Sequence, residues 1–170
     1  MAVAGRRLRK ALLLFMIPLA LLILAALLVN LVASSWAGRP LIVDERAVRQ
    51  VQGIGRQMGE ATAQRTQSDY MISRRYLFLA VDGMNMSDAL ERRADLLVSR
   101  GWKVENDRTP DAIHLESDEL EAYLTLSPLD AYLAQVGFDD YRVKEVATRV
   151  RKQSGPSATI LVAVLEHTWP

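Results

Sequence analysis

The longest apolar stretch of the chain comes near its start. From Ala11 to Ala33 there are 23 residues without a charge, and Asn30 is the one strongly polar side chain among them. At 1.5 Å per residue that is about 35 Å of helix, enough to cross a hydrocarbon core about 30 Å thick. The apolar core of a signal peptide is shorter, about 7–15 residues. The pattern therefore predicts one transmembrane helix over 11–33 that stays with the protein, with Pro18 tolerated inside the span. The competing reading is a cleaved signal, because Ser35 and Ala37 are small residues at the two positions a signal peptidase reads.

Beyond Pro40 the period changes. Ala47, Val51, Ile54, Met58 and Ala61 recur at spacings of 4, 3, 4 and 3, a heptad-like seam that predicts a helix from Asp44 to about Ser68 within a juxtamembrane stalk, 40–72. Gly53, Gly55 and Gly59 weaken it, each costing about 1 kcal/mol relative to alanine in a helix interior. Such a seam packs either on the protein's own folded part or on a second membrane-proximal helix. Its shortness favours the first, and the glycines would permit the close approach the second needs. The string "GIGRQMG" is one residue too long for a dinucleotide fingerprint, and no apolar strand precedes it.

From residue 74 the pattern becomes that of a mixed α+β domain, 74–170. "RRYLFLAV" reads as a buried strand. Leu90, Ala94, Leu97 and Val98 stripe a helix capped by Asn85 or Ser87 and ended by Gly101, with Trp102 folding back on it. "WKVEN", "AIHLES" and the alternating "EAYLTL" are strand pieces separated by turns. Ser127-Pro128 opens a short helix. A second begins at Asp139 or Asp140, with Val143, Val146, Ala147 and Val150 on one side, and "SATILVAVLEH" is a central strand. Collapsed, the order is βαββαβ, a ferredoxin-like antiparallel sheet with helices on one face.

Charge orients the chain. Arg6, Arg7, Arg9 and Lys10 crowd a tail, 1–10, ahead of the span, which by the positive-inside rule is cytoplasmic, with the folded part outside the cytoplasm. Trp36 falls where an interfacial aromatic is expected. Residues 34–170 hold 17 basic and 20 acidic side chains, which gives no footprint for nucleic acid. There is no cysteine, so disulfides and thiol chemistry are out.

Candidate chemistry is sparse. The two histidines, His114 and His167, lie on different strands with no metal-ligand spacing. Glu116, Asp118, Glu119 and Glu121 surround a tight turn but match no calcium loop; such carboxylates commonly keep a strand edge soluble. Asp82 and Asp88 flank the turn after the first strand, where capping explains them. No nucleophile elbow or phosphate loop is present, so neither an enzyme nor a cofactor is expected.

Tail, span, stalk and small α+β module together resemble, in architecture, the bitopic scaffold subunits of envelope machines such as type II secretion and type IV pilus assembly. That layout implies a non-enzymatic, single-pass interaction module of the cell membrane, with other envelope subunits or a second copy of itself as partners. The alternative expectation is an extracytoplasmic ligand-binding or sensory domain using the open sheet face or the turn after the first strand.

Overall fold

A computed structural model describes residues 22–29, 41–67, 70–81, 83, 85–105, 111–135 and 140–168. Arg6, Arg7, Arg9, Lys10, Trp36, Asp82 and most of the 11–33 stretch lie outside the described residues. Residues 22–29 are helical (α1), and Leu22, Ile23, Leu24, Leu27, Leu28 and Val29 are all exposed on it. Among the described residues no helix is long and apolar enough to cross a membrane. The chain divides into two compact units, Met1–Arg39 and Pro40–Pro170.

The second unit is an α+β fold on a six-stranded antiparallel sheet. Its elements are α2 (Glu45–Gln52), β1 (Arg56–Gln67), β2 (Tyr70–Ala80), α3 (Met86–Val98), β3 (Lys103–Val104), β4 (Ile113–Ser117), β5 (Ala122–Pro128), α4 (Leu129–Gln135), α5 (Tyr141–Ser154) and β6 (Ile160–His167). The strand order is β1-β2-β6-β5-β4-β3, with every neighbouring pair antiparallel.

The stalk expectation is corrected. A helix starts where Asp44 accepts a hydrogen bond from the Arg46 backbone N–H at 2.7 Å, but it ends at Gly53 after eight residues. Residues 56–67 are a strand instead. There is thus no long seam: Ala47 and Val51 lie on α2 and Ile54 in the turn after it, all buried in the domain's own core, while Met58 and Ala61 lie on β1 and pack on the other side of the sheet. The physical reason is contact. A Cβ at Gly55 would meet the Ala80 carbonyl oxygen at 3.0 Å, and one at Gly59 would meet Val150 Cγ2 at 2.9 Å. Both glycines let β1 lie close to its own domain. The trailing polar residues Thr62, Gln64 and Thr66 share one face of the strand and are exposed.

Helices cover both faces of the sheet, where the βαββαβ reading placed them on one. On the first face, Leu77, Leu79, Leu124, Leu161, Ala163 and Leu165 pack against α2 and against Ala89, Leu90, Ala94 and Leu97 of α3. On the second, Phe78, Ala80, Ile160 and Val162 pack against Leu129 of α4 and Val143, Ala147 and Val150 of α5. Successive residues of β2 and β6 point to opposite faces, so a strand covered on both must be apolar at every position. "YLFLA" and "ILVAV" are, and each large side chain so buried stabilises the fold by about 1.5–3 kcal/mol. In βαββαβ terms the final strand, β6, sits between β2 and β5.

Local signals behave as their chemistry requires. Asn85 caps α3 by accepting from the Asp88 N–H at 2.9 Å, and its amide donates to the Asp88 carboxylate at 3.0 Å. Gly101 adopts φ 99°, after which the Trp102 N–H returns to the Leu97 carbonyl at 3.2 Å. Pro128 closes β5 rather than opening α4, and Ser127 is buried in the strand. Asp140 caps α5. Leu41 joins the sheet as a single parallel bridge beside Ile72, its N–H donating to the Met71 carbonyl at 2.8 Å and its carbonyl accepting from the Ser73 N–H at 3.0 Å.

Candidate functional site

On the second face α5 lies over β1 and β2, and α4 lies over the adjoining ends of β5 and β6. The far half of that face carries no helix among the described residues. Strand register lines up two rows there. One runs His114–Thr125–Val164–Tyr76; the other runs Glu116–Tyr123–Glu166, with Arg74 reaching Glu166 from β2 at 2.7 Å. These side chains are half-buried, apart from the buried Tyr76. Their partner residues on the first face are the leucines of the core, so alternation along β4 and β5 puts the polar set here.

Its geometry is that of a hydrogen-bonding and stacking surface. The His114 and Tyr123 rings stack with centroids 5.9 Å apart, and His114 Nδ1 lies 3.1 Å from Thr125 Oγ1. Partial burial, then the Glu105 carboxylate that accepts from its hydroxyl, push the Tyr123 phenol up to about 12. At neutral pH it is a donor and not a base. Tyr76, at the end of the first row, forms a tilted pair with Tyr132 6.2 Å away, and burial raises both phenols.

The expected candidates do not converge. His114 faces this side, while His167 pairs with Ala122 and belongs to the other. Three residues of register also separate them, about 10 Å at 3.3 Å per residue. The acidic turn disperses onto three partners from different elements: Asp118 pairs with Lys103, Glu119 lies 3.6 Å from Arg46, and Glu121 lies 3.4 Å from His167. Asp44, Arg46, Glu119, Glu121 and His167 line a shallow cleft of about 440 Å³ at that end of the sheet. Among the described residues no three histidine, aspartate or glutamate side chains come together to hold a metal. Glu105, Arg74 and Glu166 were not singled out in the sequence. The alternation that turned Tyr123 and Thr125 away from the core was the available signal for this face.

The sheet's edges differ. β3 has two residues, whereas β1 has twelve, and its outer edge has no strand partner among the described residues. The second-face side of β1 is taken by α5; the edge is not.

In comparisons with known proteins, no family model, curated protein or solved structure matches this chain.

Proposed function

We infer that this chain is a single-pass, membrane-anchored interaction module, its N-terminus cytoplasmic and its folded unit outside the cytoplasm, serving as an accessory or scaffold subunit of a cell-envelope complex. The observation that carries the reading is β1. A twelve-residue strand whose outer edge has no strand partner among the described residues offers a row of backbone donors and acceptors, and an added strand from a partner satisfies them. The membrane part is supported by the uncharged run 11–33 and by the exposed apolar side chains of α1. The partner is another envelope subunit or a second copy of the chain.

The test is native mass spectrometry of the protein extracted from its own membrane in mild detergent, alongside a Thr62→Lys/Gln64→Lys variant. Both side chains are exposed, and lysine on an edge opposes strand addition. A full-mass chain in a defined complex that the variant loses supports the reading. A wild-type chain that travels alone sinks it. A lone chain shortened to begin near Gly38 would identify the opening stretch as a cleaved signal.

A ligand-binding domain is the second reading, favoured by the half-exposed His114–Tyr123 stack on the uncovered sheet face. A small molecule that raises the melting temperature of the wild type but not of Tyr123→Ala would put it first.

A further inference from the structure

Charge on the folded part of the chain is segregated. α5 carries five basic side chains and one acidic one, while the rest of residues 34–170 carries 12 basic and 19 acidic. Val143, Ala147 and Val150 face the core. Tyr141, Lys144, Glu145, Thr148, Arg149 and Lys152 recur at helical spacing on the opposite side, and all six are exposed.

Some of this charge has a role within the fold. Arg151 and Lys152 in the last turn suit the helix dipole. Arg142 and Lys144 stand in the first turn, which has no acidic residue and where the dipole disfavours positive charge. Glu145 answers Arg149 at 2.7 Å, and Arg151 reaches Asp130 through its Nε at 2.9 Å. The helix remains strongly positive, with Tyr141 77% exposed at its start.

We propose that the outer face of α5 docks on an anionic lipid headgroup surface and so fixes how the folded unit lies against its membrane. The proposal rests on the membrane reading above. A straight row from Tyr141 to Lys152 is about 17 Å long and meets a flat, multivalent anion better than a point ligand. Lysine and arginine stems with a tyrosine ring at one end are the side chains that settle at headgroup level. An anchor in the same chain would keep the folded unit at high effective concentration near the bilayer, and an anionic headgroup in the leaflet facing that unit is then within its reach.

The chain has no cysteine, so Thr148→Cys creates a single labelling site on the exposed row. The full-length labelled protein is reconstituted into phosphatidylcholine vesicles with and without phosphatidylglycerol, and a headgroup-borne quencher reports the label's proximity. The expected result is severalfold stronger quenching with phosphatidylglycerol. High salt, which shortens the screening length to about 3 Å at 1 M, should reverse it, as should Lys144→Gln/Arg149→Gln/Lys152→Gln. Equal quenching in both vesicles overturns the proposal while leaving the anchor intact. Protection of the label only when other envelope proteins are added, whatever the lipid, overturns it in favour of an acidic protein partner. Failure of the protein to float with either vesicle is a different result and removes the membrane reading itself. Because the salt reversal is read on the single variant, misfolding of the triple variant cannot decide the outcome.

Discussion

Gly59 of β1 and Val150 of α5 meet so closely that a Cβ on the glycine would lie 2.9 Å from Val150 Cγ2, with Val146 Cγ1 at 3.0 Å. Val150 is fully buried, so it has little room to retreat. Gly59→Ala is therefore expected to destabilise the folded unit by about 1–3 kcal/mol, the usual cost of overpacking. The sign is diagnostic, because in a stalk helix the same change would stabilise by about 1 kcal/mol. Urea unfolding of both proteins measures it.

Trp102 Nε1–H donates to Gln50 Oε1 at 2.7 Å, tying the chain after α3 to α2. A double-mutant cycle on Trp102→Phe and Gln50→Leu is expected to give a coupling of about 0.5–1.5 kcal/mol. A coupling near zero would mean that this hydrogen bond does not tie α2 to the chain after α3.

Coverage of both sheet faces makes them equally vulnerable. Leu97→Ala on the first face is expected to cost about 2–5 kcal/mol, and Phe78→Ala on the second about 3–5 kcal/mol. Both side chains are fully buried, and denaturant midpoints check the pair. A sheet covered on one face alone would lose little at one of the two.

Alkaline pH should weaken the fold through Tyr123. Its phenol is held protonated up to about 12 by burial and by Glu105, against an ordinary value of 10.0. The stability this confers is fully present below about pH 10 and is lost as pH rises toward about 12, because the unfolded chain ionises first. Melting temperatures across that window should fall more steeply for the wild type than for Tyr123→Phe.

Much of the architecture was legible because it is written locally. The α3 stripe ending at Gly101, the Asp140 cap and the apolar runs of β2 and β6 each announce an element within a few residues. β1 was not legible, for a specific reason. Its inward side is Gly59, Ala61 and Ala63, small because α5 presses on them, so the strand lacks the large apolar alternation that marks such elements. Add the real α2 residues Ala47 and Val51 and the turn residue Ile54, and the spacing imitates a heptad. Coverage of both faces is implied by the unbroken apolar run of β6, although the run by itself marks only a central strand. The polar rows on the open face were hidden differently. Arg74, Glu105, His114, Tyr123 and Glu166 meet through register between strands distant in sequence, which no local pattern encodes.

Leu41 has a mechanical consequence. Its two backbone hydrogen bonds to Met71 and Ser73 lie beside β2, parallel to it, at the first described residue after 30–40. A pull on the preceding chain would load these two hydrogen bonds, in shear against β2, before it reached α2. The first load on the folded unit would therefore fall on β2, the strand that pairs with the edge strand β1.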